Sequence, residues 1–113
     1  MSAITTHVLD TARGCAAAGV RVSLEQTDAD DSWKPVAKGV TDADGRLRTF
    51  MAEGTLPVSG TYRLVFDTGA YFASQGVAAF YPHVTVAFTV AGEPHYHVPL
   101  LLSPFGYSTY RGT

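Results

Sequence analysis

The sequence predicts an all-β sandwich, and three observations lead to that prediction. Short apolar or alternating runs are separated by turn signals at intervals of about ten residues, as in β-sandwich domains. The runs at 20–27 and 61–67 alternate apolar and polar side chains with the period of a strand. Only the segment at 69–76 suits a helix, because its apolar residues lie between two glycines. The chain is therefore expected to contain seven or eight strands and at most one helix.

The first half of the chain contains predicted strands at 4–10, 20–27 and 33–41 and a short extended piece that carries Arg46 and Arg48. The segment at 11–19 is a predicted loop. The sequence TDADG at 41–45 has the composition of a turn. Pro35 weakens the third strand because it cannot donate to a neighbouring strand.

The second half contains predicted strands at 61–67, 83–90, 96–102 and 107–110. In the first of these, Tyr62, Leu64 and Phe66 are expected to face the core. The helix at 69–76 follows it. The segments at 91–94 and 103–106 contain glycine and proline and are predicted turns.

Composition restricts the kinds of function. The 113 residues correspond to one domain, which we expect to span 1–113. The chain is 46% hydrophobic and only 16% charged, which favours a surface partly covered by other subunits. Its net charge of −2 provides no basic field, so neither nucleic acid nor a membrane is an expected partner.

Cysteine use and the first residues point to the cytoplasm. Cys15 is the single cysteine and cannot form an internal disulfide, which favours a reducing compartment. No histidine lies near it in sequence, so we interpret it as an incidental thiol rather than a nucleophile. The first ten residues lack a basic start and a long apolar run, so no signal peptide is predicted.

The strongest indication of a site is the segment HYHVPLLLSPFGYSTYRGT at 95–113. Its β-forming residues predict a final strand that would hold Tyr110, Arg111 and the terminal carboxylate in fixed places. His95 and His97 are two residues apart and are expected to share one face of a strand. The residues alone therefore suggest a site formed by histidine, arginine and tyrosine.

Each candidate also has an ordinary structural interpretation. His7 is equally compatible with a core or interface histidine. Arg46 and Arg111 resemble common surface arginines, and Ser108 and Tyr110 are ordinary strand residues. Two histidines without a third ligand at a diagnostic spacing do not predict a dedicated metal site.

Three blocks of sequence resemble one family closely. They are TTHVLDTARG at 5–14, DGR at 44–46 and HYHVPLLLSPFGYSTYRG at 95–112. All three are similar to 5-hydroxyisourate hydrolase, the transthyretin-related protein of urate breakdown. That family is marked by a terminal Tyr-Arg-Gly-Ser, where this chain has Tyr110, Arg111, Gly112 and Thr113. Transthyretin, a hormone carrier, shares the fold but lacks this tetrapeptide and the histidines.

The resemblance implies a prealbumin-like sandwich of two four-stranded sheets with one short helix. It also implies a homotetramer, built as a dimer of dimers with active sites between the dimers. The implied reaction is hydrolysis of 5-hydroxyisourate to 2-oxo-4-hydroxy-4-carboxy-5-ureidoimidazoline, without a cofactor or metal.

The resemblance also assigns roles to residues. His7 and His97 are expected to manage the attacking water and its proton, because histidine exchanges protons near neutral pH. Arg46 is expected to orient the substrate and stabilise negative charge on oxygen. The remaining expected substrate-binding residues are Ser108, Tyr110, Arg111, Gly112 and Thr113. Sequence does not decide which histidine is the base.

Three other functions stay open at this point. A transthyretin-like carrier would bind a small aromatic ligand without chemistry and would not need His7, Arg46 and His97 together. An immunoglobulin-like interaction domain would be a monomer that tolerates trimming of its last residues. A zinc protein would use His95, His97 and His7.

Overall fold

The computed structural model describes residues 2–28 and 30–113. In chain order the elements are β1 (Ile4–Asp10), β2 (Cys15–Ala16), β3 (Arg21–Thr27), β4 (Trp33–Val40), β5 (Arg46–Leu47), β6 (Gly60–Phe66), α1 (Thr68–Ala73), β7 (Val84–Val90), β8 (Tyr96–Ser103) and β9 (Gly106–Thr109). The all-β prediction with one short helix is confirmed.

The first sheet has β1 and β8 at its centre, and these two strands run parallel. Strand β9 pairs with the other edge of β8. The two-residue strands β2 and β5 pair with different parts of β1 along its remaining edge. This sheet therefore contains five strands, but it is four strands wide, which reconciles it with the expected four-stranded sheet.

The second sheet is antiparallel, in the order β4-β3-β6-β7. Strand β4 lies at its edge, and its register shifts so that Leu24 faces Ala37 while Glu25 faces Pro35. Val36 is left between these pairs as a bulge. An edge position with a bulge accommodates Pro35, which has no N–H to donate.

One apolar core lies between the sheets. The inward residues of both sheets are almost fully buried, among them Ile4, Val8 and Leu100 of the first sheet and Leu24 and Leu64 of the second. Burial alternates along β6, where Tyr62, Leu64 and Phe66 face inward as predicted. The residues between them, Arg63 and Val65, lie on the opposite face of the sheet and are half-buried.

The helix α1 begins at Thr68, one residue earlier than predicted, and ends three residues earlier, at Ala73. Asp67 precedes it, and its side chain accepts a hydrogen bond from the backbone N–H of Ala70 at 3.4 Å. This is the capping interaction that satisfies a free N–H at a helix start. Within the described residues, no helix is long and apolar enough to span a bilayer.

Candidate active site

The register of the first sheet places several candidate side chains on its outer face. Thr5 of β1 lies opposite His97 of β8, and His7 lies opposite both Pro99 of β8 and Arg46 of β5. Because side chains alternate between the faces of a sheet, Thr5 and His7 point to the same side. Strand pairing therefore brings together residues that are as much as 92 positions apart in sequence.

The turn before β5 is fixed by its own hydrogen bonds. The carboxylate of Asp42 accepts from the backbone N–H groups of Asp44, at 2.9 Å, and Arg46, at 3.0 Å. The bond from Arg46, with smaller effects from nearby arginine charges, lowers the pKa of Asp42. Gly45 completes the turn with a φ of 75°, and a Cβ there would lie 2.3 Å from the carbonyl oxygen of Val8. Only glycine suits this position.

The same turn holds the ring of His7. His7 Nε2 lies 2.9 Å from the carbonyl oxygen of Asp44. A carbonyl only accepts, so Nε2 carries a proton and donates it. In the neutral ring, Nδ1 is then the nitrogen with a free lone pair.

His97 and His95 share one hydroxyl. Thr5 Oγ1 lies 2.7 Å from Nδ1 of His97 and 3.0 Å from Nε2 of His95. Thr5 is only 2% exposed and lies beneath the two rings. The rings are nearly parallel, at 17°, with centroids 6.3 Å apart. Their shared face, expected from the spacing in sequence, is confirmed.

The surroundings of His97 favour its neutral form. Burial lowers the pKa of His97 from its ordinary value of 6.5, and the positive charge of Arg46 lowers it further. Burial acts because a charged ring loses hydration, and Arg46 acts by repelling a second positive charge. His97 is therefore unprotonated at neutral pH, which a general base requires.

The last residues of the sequence cross the same face. The N–H of Gly112 donates to the carbonyl of His97 at 2.8 Å. Tyr110 and Thr113 border a cavity of about 430 Å³ above the histidines. The remaining lining residues of that cavity are Thr5, His7, Arg46, Arg48, His95, His97 and Pro99.

Two predicted substrate-binding residues lie elsewhere in the single chain. Ser108 is paired with Leu101, four positions beyond His97 along β8. Arg111 places its guanidinium carbon 5.0 Å from the centre of the Tyr96 ring, at a separate cavity of about 290 Å³. Neither lines the histidine cavity, so the roles of Ser108 and Arg111 stay predictions.

The cavity places the imidazole of His97 beside the positively charged side chains of Arg46 and Arg48. Across residues 2–28 and 30–113, no group of three histidine, cysteine or acidic residues is arranged to hold a metal ion. A neutral histidine beside two arginines is suited to activating water and stabilising a developing anion. Cys15 is exposed on β2 and does not line this cavity.

Comparison with known proteins identifies the family. The model of the HIUase/Transthyretin family matches residues 4–112. The chain belongs to this family. A relative from Schizosaccharomyces pombe, named probable 5-hydroxyisourate hydrolase, is 43% identical over 113 residues, which cover 98% of this chain and 91% of the relative.

Two solved structures have the same fold as this chain. Sea bream transthyretin in complex with thyroxine has a TM-score of 0.91 and 37% identity, covering 98% of this chain and 95% of that one. Klebsiella pneumoniae 5-hydroxyisourate hydrolase has a TM-score of 0.86 and 42% identity, with complete coverage of both chains. The transthyretin-like sandwich implied by the resemblance is confirmed.

Four residues that line the cavity, Thr5, Arg48, His95 and Pro99, are not among the predicted catalytic or substrate-binding residues. Thr5 lies within the first family-like block, but a threonine in a strand gives no signal of its own. Arg48 was noted only as lying on the same short extended piece as Arg46. The pairing of β1 with β8 is what gives Thr5 its position, and that pairing is not readable from local sequence.

Proposed function

We propose that this protein hydrolyses 5-hydroxyisourate to 2-oxo-4-hydroxy-4-carboxy-5-ureidoimidazoline, a step of purine degradation. The observation that carries the proposal is the convergence of His7, Arg46 and His97 on one cavity, in a family whose relatives include named 5-hydroxyisourate hydrolases. A carrier without chemistry has no need for a base beside a guanidinium.

The first step is activation of water by His97. Its lowered pKa keeps the ring neutral at pH 7, so Nε2 is able to take a proton from water as the oxygen bonds to a ring carbonyl carbon. The carbonyl oxygen then becomes anionic. On this ground we assign the role of base to His97, where sequence alone leaves both histidines open.

Arg46 and His7 act on the substrate. The guanidinium of Arg46 orients the polar ring and stabilises the anionic oxygen until the ring amide bond opens. Nδ1 of His7 is the nitrogen available to the cavity, since Nε2 is held by the Asp44 carbonyl. His7 positions the water by accepting a hydrogen bond from it at Nδ1. As the ring amide C–N bond breaks, the proton taken up by His97 passes from Nε2 to the departing nitrogen. No cofactor is required.

The last residues close the cavity. Tyr110 and Thr113 provide hydroxyl groups at its border, and Gly112 holds the strand against His97. We assign Arg111 and Ser108 to substrate binding in the assembled protein, because Arg111 lies between Tyr110 and Gly112 in this segment and Ser108 lies on β9 just before it.

The proposed assembly is a homotetramer, a dimer of dimers with sites between the dimers. Large apolar side chains are exposed on the described surface, and Phe80 and Phe105 are 70% and 72% exposed. Such side chains are suited to a subunit interface. One core shared by both sheets supports a single domain over 1–113. The cytoplasmic location stays a prediction.

A ligand carrier is the second candidate, favoured by the TM-score of 0.91 to transthyretin with thyroxine. Fold likeness alone does not separate the two, because the same sandwich serves both functions. The residues that line the cavity distinguish the hydrolase from the carrier. A carrier is expected to bind a small aromatic ligand with equal affinity whether His97 is present or replaced by asparagine.

The test is the decay of freshly generated 5-hydroxyisourate, followed in the ultraviolet with spontaneous hydrolysis subtracted. We expect rapid decay with the intact chain, and a loss of about 10²-fold or more in kcat for His97→Asn. Arg46→Gln should cause a loss of similar order, because an oxyanion-stabilising group is removed. Decay no faster than in buffer would refute the hydrolase.

Matched controls keep the result specific. His83→Asn changes an exposed histidine next to β7, in the other sheet. Arg21→Gln changes an exposed arginine paired with Asp67, also in the other sheet. Both should retain the activity of the intact chain. Sedimentation of the same samples tests the tetramer.

A further inference from the structure

The hydroxyl shared by two histidines has a chemical consequence for the proposed base. A threonine hydroxyl has one proton to donate and lone pairs with which to accept. When it lies between two ring nitrogens, it donates to one and accepts from the other. Thr5 therefore links the proton positions of His95 and His97.

Only two arrangements satisfy this geometry when both rings are neutral. In the first, Nδ1–H of His97 donates to Thr5, whose hydroxyl donates to Nε2 of His95. In the second, Nε2–H of His95 donates to Thr5, whose hydroxyl donates to Nδ1 of His97. The first leaves Nε2 of His97 without a proton, and the second puts a proton on it.

The charges around the cavity favour the first arrangement. Among the described residues, Nε2 of His97 has no hydrogen-bond partner, while Arg46 and Arg48 bring positive charge near the ring. A lone pair facing positive charge is favourable, whereas an N–H dipole in the same place is not. The arginine charges therefore favour the first arrangement, and that arrangement also needs the Thr5 hydroxyl to accept from Nδ1–H of His97.

We infer that Thr5 and His95 are positioning residues that hold His97 in its Nδ1-protonated tautomer, with Nε2 free to accept a proton. The catalytic consequence rests on the proposed hydrolase function, whereas the tautomer itself does not. Proton transfer from water then places a proton on Nε2, and the resulting cation keeps its Nδ1–H bond to Thr5. The ring does not need to turn during the step.

The burial of Thr5 suits such a role. Thr5 is only 2% exposed, so its hydroxyl is largely screened from solvent that would compete for His97 Nδ1. The strand register fixes the hydroxyl directly opposite His97 and diagonally opposite His95. A fixed partner on one ring nitrogen is the usual way in which proteins choose the proton position on the other.

The experiment is ¹⁵N NMR of the imidazole nitrogens of the full chain at a pH at which His97 is neutral. Nδ1 of His97 should give the shift of a protonated nitrogen, and Nε2 that of an unprotonated one. Thr5→Val keeps the shape of the side chain and removes the hydroxyl, so the proton should move to Nε2. Thr5→Ser should restore the original pattern.

Kinetics supply the second readout. Thr5→Val should lower kcat for 5-hydroxyisourate by about 10²-fold, because the base is held in the wrong tautomer, and leave KM little changed. Thr5→Ser should recover most of kcat. Thr61→Val is the matched control, since Thr61 is exposed on β6 in the other sheet. His95→Phe, at an exposed position, keeps a flat ring but removes the acceptor for the Thr5 hydroxyl, and it replaces Thr5→Val if that variant fails to fold.

The outcomes separate the two proposals. A proton on Nε2 of His97 in the intact chain, or no change of tautomer in Thr5→Val, would overturn this inference even if the enzyme is active. A tautomer that follows the hydroxyl in a chain without hydrolase activity would support the inference and refute the proposed function.

Discussion

Gly112 lies against the imidazole ring of His97. Its N–H donates to the His97 carbonyl at 2.8 Å, and a Cβ at position 112 would stand 2.6 Å from Cδ2 of the ring. Such a contact is too short to be tolerated without movement. The glycine of the terminal tetrapeptide therefore leaves the space that the ring occupies, in addition to pairing with its backbone.

Replacing this glycine should harm catalysis more than folding. Gly112→Ala is expected to displace the His97 ring and lower kcat by about 10²-fold, the scale of loss for a small misplacement of a reacting group. Steady-state kinetics and the thermal midpoint measure the two effects. Gly106→Ala is the control, because its Cβ would lie 3.7 Å from Ser103 Oγ, an ordinary contact. Equal kcat in both variants would contradict the role of Gly112.

The pH dependence of activity should reflect the lowered pKa of His97. Burial and Arg46 keep that pKa below 6.5, and only the unprotonated ring accepts a proton. We expect kcat/KM to be constant around pH 7 and to fall as the pH drops below 6.5. Removing positive charge with Arg48→Gln should raise the midpoint of this fall, while Arg21→Gln on the other sheet should not change it. A midpoint above 6.5 in the intact chain would contradict the assignment.

Thr113 stands where the family has serine, and it borders the cavity with an exposed side chain. Because Thr113 is exposed, Thr113→Ser should change kcat/KM by about twofold at most, the usual scale for a surface change. Thr113→Val removes the hydroxyl at constant size and should cost about tenfold if the hydroxyl bonds to substrate. Equal losses for both variants would show that shape, not the hydroxyl, is what matters there.

Stability should depend on a hydrogen bond far from the cavity. The hydroxyl of Tyr71 donates to Oδ2 of Asp10 at 2.8 Å, and both residues are buried. Tyr71→Phe leaves that carboxylate oxygen without its donor and should lower the free energy of unfolding by about 1–3 kcal/mol. Urea denaturation measures this, with exposed Tyr107→Phe as the control, while kcat should stay at the level of the intact chain.

Local sequence predicted the strands well where one face is buried. Strand β1 has the predicted bounds, because its β-forming residues stop where the predicted loop at 11–19 begins. The two-residue strand β2 was not predicted, since two residues are too few to show the alternation of a strand. The start of α1 was placed one residue late because the glycines were used as its limits, although Asp67 is a capping residue.

The site was predicted through family motifs rather than through chemistry. His7, Arg46 and His97 line one cavity, and Tyr110 and Thr113 border it, while the roles assigned to these residues stay predictions. The turned-away position of Arg111 was not predicted, because the direction of a side chain near an irregular end does not follow a simple period. Thr5 was missed because its partners are 90 and 92 residues distant.

The parallel pairing of β1 with β8 also determines the order in which the chain folds during synthesis. The first strand leaves the ribosome long before its main neighbour exists, so its edge stays open until the end of the chain emerges. Closing so long a loop is slow compared with forming a hairpin. In refolding, the antiparallel sheet should appear first, and catalytic competence should return only in the last kinetic phase.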